Sequence, residues 1–163
     1  MNRFNFEEVK QKLDQTKREV LVLLSTQAQN YFLSSFKKQG FNGENWQEVQ
    51  RRIPGTKAYK YPKTKGLQRR TSPILVGAGY KIRGGTLRRA VSMMARTSTI
   101  GNGTLKMVVD LPYASAQNKG TKNAGRNHSI TIPERRFVGQ TQELTDKQSK
   151  LISKTVDKIW KAQ

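Results

Sequence analysis

Between residues 49 and 133 the chain carries 17 Lys and Arg against one acid, Asp110, so this stretch holds +16 of a net charge of +20. A block so one-sided repels itself on compaction and weakens a closed fold unless an anionic partner or a neighbouring subunit compensates it. The flanks are close to neutral, with 7 basic and 6 acidic residues before position 49 and 7 and 4 after position 133. The charge therefore points outside the chain, to nucleic acid first. A basic surface kept solvated for solubility is the competing reading.

The 163 residues fit a single domain, 1–163, which buries about 70% of the surface its unfolded form exposes. There is no cysteine, so stability rests on packing, as suits a reducing cytoplasm. The opening Met1-Asn2-Arg3-Phe4-Asn5-Phe6-Glu7-Glu8 turns acidic before any apolar run. No stretch approaches the roughly 18 apolar residues of a membrane span, so neither an export signal nor a membrane is expected.

Val9, Leu13, Val20, Leu24, Ala28, Tyr31 and Ser35 recur at spacings of three, four or seven, which predicts one long N-terminal helix over 1–40. Asn5 and Glu8 form a capping-box pair at its start, and Gly40 to Gly43 stop it. Leu21, Leu23, Phe32, Leu33 and Phe36 widen the apolar surface beyond one stripe, which suits either a deeply buried helix or one flank against another subunit. Residues 46–85 show no period. Their prolines, glycines and interleaved Lys57, Tyr59, Lys60, Tyr61, Lys63 and Lys65 predict an extended basic arm or long loop. In such an arm the tyrosines either stack on bases while cations hold phosphates, or anchor the loop to the body.

Alternating runs at Val91 to Thr99 and Thr104 to Val109 flank Asn102-Gly103 and predict a β-hairpin within an antiparallel sheet over 86–139. Ser129 to Ile132 reads as a further strand ended by Pro133, with the glycine-spotted loop Lys119 to Asn127 leading into it. Thr145 and Gln148 form a second capping pair, followed by Leu151, Ile152, Thr155, Val156, Ile159 and Trp160 at helical spacing. The expected fold is α+β: a long N-terminal helix, a small antiparallel sheet with a basic arm, and a C-terminal amphipathic helix, 145–161, packed on the sheet.

The residues that catalysis needs are scarce. His128 is the only histidine and sits in a loop among Arg126, Asn127 and Ser129. Glu7, Glu8, Asp14 and Glu19 read as the polar face of the first helix. No Cys/His zinc pattern, EF-hand loop or HExxH occurs, so no metal or cofactor is expected. Gly77-Ala78-Gly79-Tyr80-Lys81-Ile82 begins like a dinucleotide fingerprint but has Ile82 in place of the third glycine. The chain does not read as an enzyme.

Three segments in order carry a resemblance. Gly84-Gly85-Thr86-Leu87-Arg88-Arg89-Ala90 resembles a "G-x-L-R-x-S" element, with Ala90 in the serine's place and Trp46 and a Lys/Arg-rich approach before it. Tyr113-Ala114-Ser115-Ala116-Gln117-Asn118-Lys119-Gly120 matches "Y-A-x-x-H-x-x-G", with Gln117 in the histidine's place. Ile132-Pro133-Glu134-Arg135-Arg136-Phe137-Val138-Gly139 matches "I-P-x-R-x-F-x-G" before the last helix. In this box Pro133 ends a strand, Arg135 offers a fork for a carboxylate, Phe137 anchors the connection and Gly139 frees the turn. Over residues 46–163 the sequence resembles the phage virion morphogenesis family of tail-completion and head-tail joining proteins.

The resemblance implies a noncatalytic virion protein in the neck or at the tail top, assembled in the host cytoplasm as a homo-oligomeric ring of about six subunits. Six middle segments carry roughly +96, whereas the ~40 Å of duplex in such a ring presents only about 24 phosphates. Double-stranded DNA in the lumen is therefore a secondary contact. Adjoining head, connector or tail proteins with acidic surfaces are the expected partners of Arg51, Arg52, Lys57, Lys60, Lys63, Lys65, Arg69, Arg70, Arg88 and Arg89. A freestanding basic nucleic-acid binding module, with the same arm as its contact surface, is the alternative.

Overall fold

The computed structural model describes residues 6–61, 73–75, 86–101 and 103–161, with side chains placed through residue 158. Asn5, and with it the first capping pair, lies outside the described residues. Helix α1 spans Phe6–Lys38, 33 residues, and opens with Glu7 and Glu8 and closes with Lys37 and Lys38, both favourable to the helix dipole. Gln39 then takes a left-handed φ of 56° and ends it. The Gln39 amide donates to the Phe36 carbonyl at 2.6 Å and its oxygen accepts from Ile74 N–H, tying the helix end to residues 73–75.

Beyond it, β1 (Gly40–Phe41) pairs antiparallel with β2 (Glu44–Asn45). The two linking residues, Asn42 and Gly43, have φ of 52° and 84°, the two positive values a type I′ hairpin turn demands. Gly40 permits the pairing, because a Cβ there collides with the Glu44 carbonyl oxygen.

The expected extended arm is compact where it is described. A 3-10 turn at Gln50–Arg52 leads into α2, Lys57–Lys60. The Thr56 hydroxyl caps α2 by accepting from Tyr59 N–H at 3.2 Å and donates to the Gln50 carbonyl at 2.5 Å, closing the segment on itself. Residues 62–72 and 76–85, including Lys63, Lys65, Arg69, Arg70 and the first glycines of the Leu87 motif, lie outside the described residues.

The strand expected from Val91 is a helix. Helix α3 covers Thr86–Met93, and Leu87, Val91 and the following Met94 are 3%, 0% and 1% exposed. That i, i+4, i+7 spacing makes one buried helical face, which outweighs the short-range alternation. The hairpin itself forms later, with β3 (Thr99–Gly101) against β4 (Thr104–Lys106) and Gly101 opposite Thr104. The second motif forms a short helix after Tyr113, α4, Ala114–Lys119. The loop expected at 119–127 supplies β5, Thr121–Ala124, which pairs with β6, Ile130–Ile132, through an irregularity between Thr121 and Ala124.

The α+β class holds, with a long N-terminal helix, antiparallel strands and a C-terminal helix. Among the described residues the strands form three separate two-stranded sheets, β1-β2, β3-β4 and β5-β6, rather than one sheet for a helix to cover. Helix α5, Gln142–Lys161, packs chiefly along α1. The core is helical and aromatic: Ala28, Phe32 and Phe36 of α1 meet Phe41, Trp46, Ile74, Leu87, Val91, Met94, Ala114, Phe137 and Leu144.

Helix α5 begins three residues before the expected cap. The Thr141 hydroxyl accepts from Leu144 N–H at 3.1 Å, whereas Thr145 lies inside the helix and donates back to the Thr141 carbonyl at 3.0 Å. The same Thr141 hydroxyl donates to Tyr31 Oη at 3.0 Å, and Tyr31 donates to Glu143 at 3.2 Å, so one capping group joins both long helices. Thr141→Ala is expected to cost about 1 kcal/mol. Thermal melting should show this as a fall of roughly 2–4 °C in Tm.

Candidate interaction surface

Residues of the three motif segments, far apart in sequence, enter one buried core, and the second and third segments are bonded to each other. Leu87 comes from α3, Ala114 (6% exposed) from α4, and Phe137 (1% exposed) from the chain between β6 and α5. The Phe137 ring lies 5.6 Å from that of Phe36, which in turn meets Trp46 edge-on at 5.7 Å. Trp46 Nε1 donates to the Arg136 carbonyl at 2.6 Å, fixing the Phe137 segment against the stretch that follows β2.

Asn118 holds the second and third motifs together. Its side-chain oxygen accepts from Phe137 N–H at 2.9 Å and Val138 N–H at 3.0 Å, and its amide donates to the Val138 carbonyl at 3.1 Å. Arg135 N–H donates to the Gln117 carbonyl at 2.9 Å alongside. Gly120, with φ of 70°, lets the two strands of chain approach: a Cβ there stands 2.8 Å from Glu134 N and 3.1 Å from the Ile132 carbonyl oxygen. Ile132 and Pro133 are half-buried beside it. At Gly139 a Cβ meets only the guanidinium of the exposed Arg136, a side chain free to swing aside.

Arg135 is 8% exposed, and its Nε donates to the Gln47 carbonyl at 3.2 Å, so the expected carboxylate fork is in the described contacts a backbone anchor. Nearby, Arg52 Nε lies 3.4 Å from Glu48, and Arg51 donates to the Pro73 carbonyl at 3.2 Å. Burial is the main cause that pushes both Arg51 and Arg135 below the usual arginine range. Arg51 is lowered further by Arg52, and Arg135 by Arg51, while Glu48 acts in the opposite direction on both. One carboxylate thus stands among three guanidiniums. All 11 acids of the chain fall among the described residues, so the undescribed stretches bring no further carboxylate side chain to this corner.

Charges face outward from this frame. Arg88 and Arg89 are exposed on α3, as are Lys57 and Lys60 on α2, and Tyr113 is 43% exposed at the start of α4. Tyr59 is half-buried and Tyr61 is 71% exposed, so the first anchors the turn and the second is free to stack. The β5-β6 hairpin adds exposed Lys122 and Arg126. His128 lies in its turn, exposed, with Nδ1 3.2 Å from the Asn123 carbonyl oxygen.

Two depressions flank the β1-β2 hairpin. One, of about 140 Å³, is lined by residues including Tyr31, Lys38, Phe41 and Glu143; the other, of about 280 Å³, by residues including Trp46, Glu134 and Arg136. Both fall below the roughly 300–1,000 Å³ of small-molecule sites. In the first, Lys147 and Tyr31 hydrogen-bond the Glu143 carboxyl and hold it below the usual carboxylate range, with desolvation opposing. Among the described residues no three His, Cys, Asp or Glu cluster as a metal site requires, and no helix is long and apolar enough to cross a membrane.

Sequence reading placed Leu87, Ala114, Gly120, Arg135, Phe137 and Gly139 as notable without showing that they serve one another. Asn118 was passed over; its signal was an amide one residue from a helix end, close before a glycine. No family model matches the chain, and no curated protein or solved structure matches it either.

Proposed function

We propose that the chain is a noncatalytic structural protein of a tailed-phage virion, acting in tail completion or head-tail joining within an oligomeric neck or tail-top ring through which DNA passes. The observation that supports this reading is that Asn118 clamps the second motif segment to the third, that Trp46 fixes the Phe137 segment, and that Leu87 of the first segment is buried in the same core. Segments matched in order along a sequence gain weight when the fold makes them one unit. The unit is a scaffold, and the exposed cations of α2 and α3 around it form a docking surface for acidic faces of adjoining virion proteins. Duplex DNA in the lumen is the lesser partner, since a channel that releases DNA is poorly served by a tight grip.

Particles made without the protein are expected to show unjoined heads and tails by electron microscopy. Normal infectious particles in its absence sink the reading. A second test separates docking from nucleic-acid binding. Reversing Lys57, Lys60, Arg88 and Arg89 to Glu changes exposed groups only, so the fold should persist while joining is lost. Wild-type affinity for duplex DNA should be weak, in the range of about 10⁻⁴–10⁻⁶ M, and should fall steeply with salt. Tight monomeric binding to DNA, lost on this reversal, favours the freestanding nucleic-acid module instead.

A further inference from the structure

Helix α1 outruns its core. None of residues 6–24 is fully buried, and the first buried position is Ser25, so the N-terminal half of α1, about 28 Å, is covered on one side at most. Phe6 is 69% and Leu13 44% exposed, although both lie on the stripe that continues through Val20, Leu24 and Tyr31. An apolar stripe of this length is not explained by the helix's own fold.

Helix α5 covers part of it. Tyr31 bonds Glu143 and Gln27 bonds the Lys147 carbonyl, four residues on in opposite directions, so the two helices run antiparallel. Carried onward, that register brings Lys161, the last residue of α5, level with Leu13. The stripe therefore runs on from Leu13, level with Lys161, to Phe6 beyond it.

Charge says what can cover it. Two copies of a +20 chain repel, so self-contact needs a surface of the other sign. The tip of α1 is one of the few stretches where acids outnumber bases: Glu7, Glu8 and Asp14 against Lys10 and Lys12 over residues 6–14, with Glu8 3.5 Å from Lys12 and Asp14 3.4 Å from Lys17. The outer half of α5 is its complement, with Lys150, Lys154 and Lys158 all exposed against Asp157. In one chain the tip passes beyond this half, so the complement is met only in another chain.

We infer that the projecting tip of α1 docks along the outer half of α5 of a second copy, with Phe6 and Leu13 on its apolar edge and Glu7 and Glu8 on its lysines. This rests on the reading that the chain assembles with itself, and names the surface that does so. Each chain gives one tip and receives another, a head-to-tail contact that closes into a ring where the rotation allows.

Light scattering across a dilution series of the full chain tests it. Wild type should run at several times the mass of one chain. Leu13→Asp, and separately Glu7→Lys with Glu8→Lys, should raise the dissociation midpoint by about tenfold or more. Adding Lys154→Glu and Lys158→Glu to the second variant should restore assembly, an outcome that mere unfolding cannot give. Circular dichroism should show every variant still helical, since these positions are exposed, with Tm lower wherever assembly is lost. A wild-type multimer indifferent to every substitution overturns the docking surface and leaves self-assembly standing. Wild type at the mass of one chain up to about 100 μM overturns both. Monomers that sediment with phosphatidylglycerol vesicles through Leu13 assign the stripe to a lipid surface and likewise overturn the inference.

Discussion

Phe137→Ala should lower Tm by roughly 8–16 °C. The side chain is 1% exposed and, with Met94 and Val91, among the most enclosed in the described residues. It packs at 5.6 Å against Phe36, whose other side meets Trp46. Truncating a buried phenylalanine costs about 3–5 kcal/mol, from lost transfer energy and from the cavity left behind. Each kcal/mol shifts Tm by about 2–4 °C in a domain of this size, so the middle of that cost, about 4 kcal/mol, gives the expected range. Total stability is commonly about 5–15 kcal/mol, so the variant approaches the edge of folding.

Phe137→Leu keeps most of the volume and should cost less than about 1.5 kcal/mol. Scanning calorimetry or circular dichroism on the pair decides the matter. A Tm for Phe137→Ala within 3 °C of wild type, outside the ~8–16 °C range, means that Phe137 does not anchor this corner. In particles the two variants should rank the same way, with joining lost in the first and retained in the second.

The long helix, its stop near Gly40 and the C-terminal helix were legible because helical periodicity sums over many residues. Short elements were not. Residues 86–94 offered both an alternation and an i, i+4, i+7 face, and only the burial of Leu87, Val91 and Met94 in the core beside α1 decides between them. Asn42-Gly43 carried the same hairpin signal as Asn102-Gly103, yet it was read as a helix stop because the strands beside it are two residues long. The strand β5 was hidden because Thr121–Ala124 has no apolar run and gains its place from β6 across the turn. Charge was legible as a total but not as an arrangement. Arg135 and Arg88 look alike in sequence, whereas one is sealed against the Gln47 carbonyl and the other faces outward.

The second large effect belongs to Asn118, a residue with no chemistry of its own. Its side chain satisfies three backbone groups of Phe137 and Val138, at 2.9, 3.0 and 3.1 Å. Asn118→Leu keeps the bulk and removes all three bonds, leaving two amides and a carbonyl with no side-chain partner at a half-buried site. An unsatisfied buried group costs about 1–3 kcal/mol, and water reaching a half-buried site relieves part of this, so a loss of about 2–4 kcal/mol is expected. Asn118→Asp should fall between, because a carboxylate still accepts from both amides but cannot donate to the Val138 carbonyl. Hydrogen exchange gives the decisive readout. In wild type the amides of Phe137 and Val138 should be protected to nearly the depth of global unfolding, and in Asn118→Leu these two should lose protection before the amides of α1 do. If they exchange in step with α1 in both proteins, the clamp adds nothing local, and the third motif is held by Phe137 and Trp46 alone.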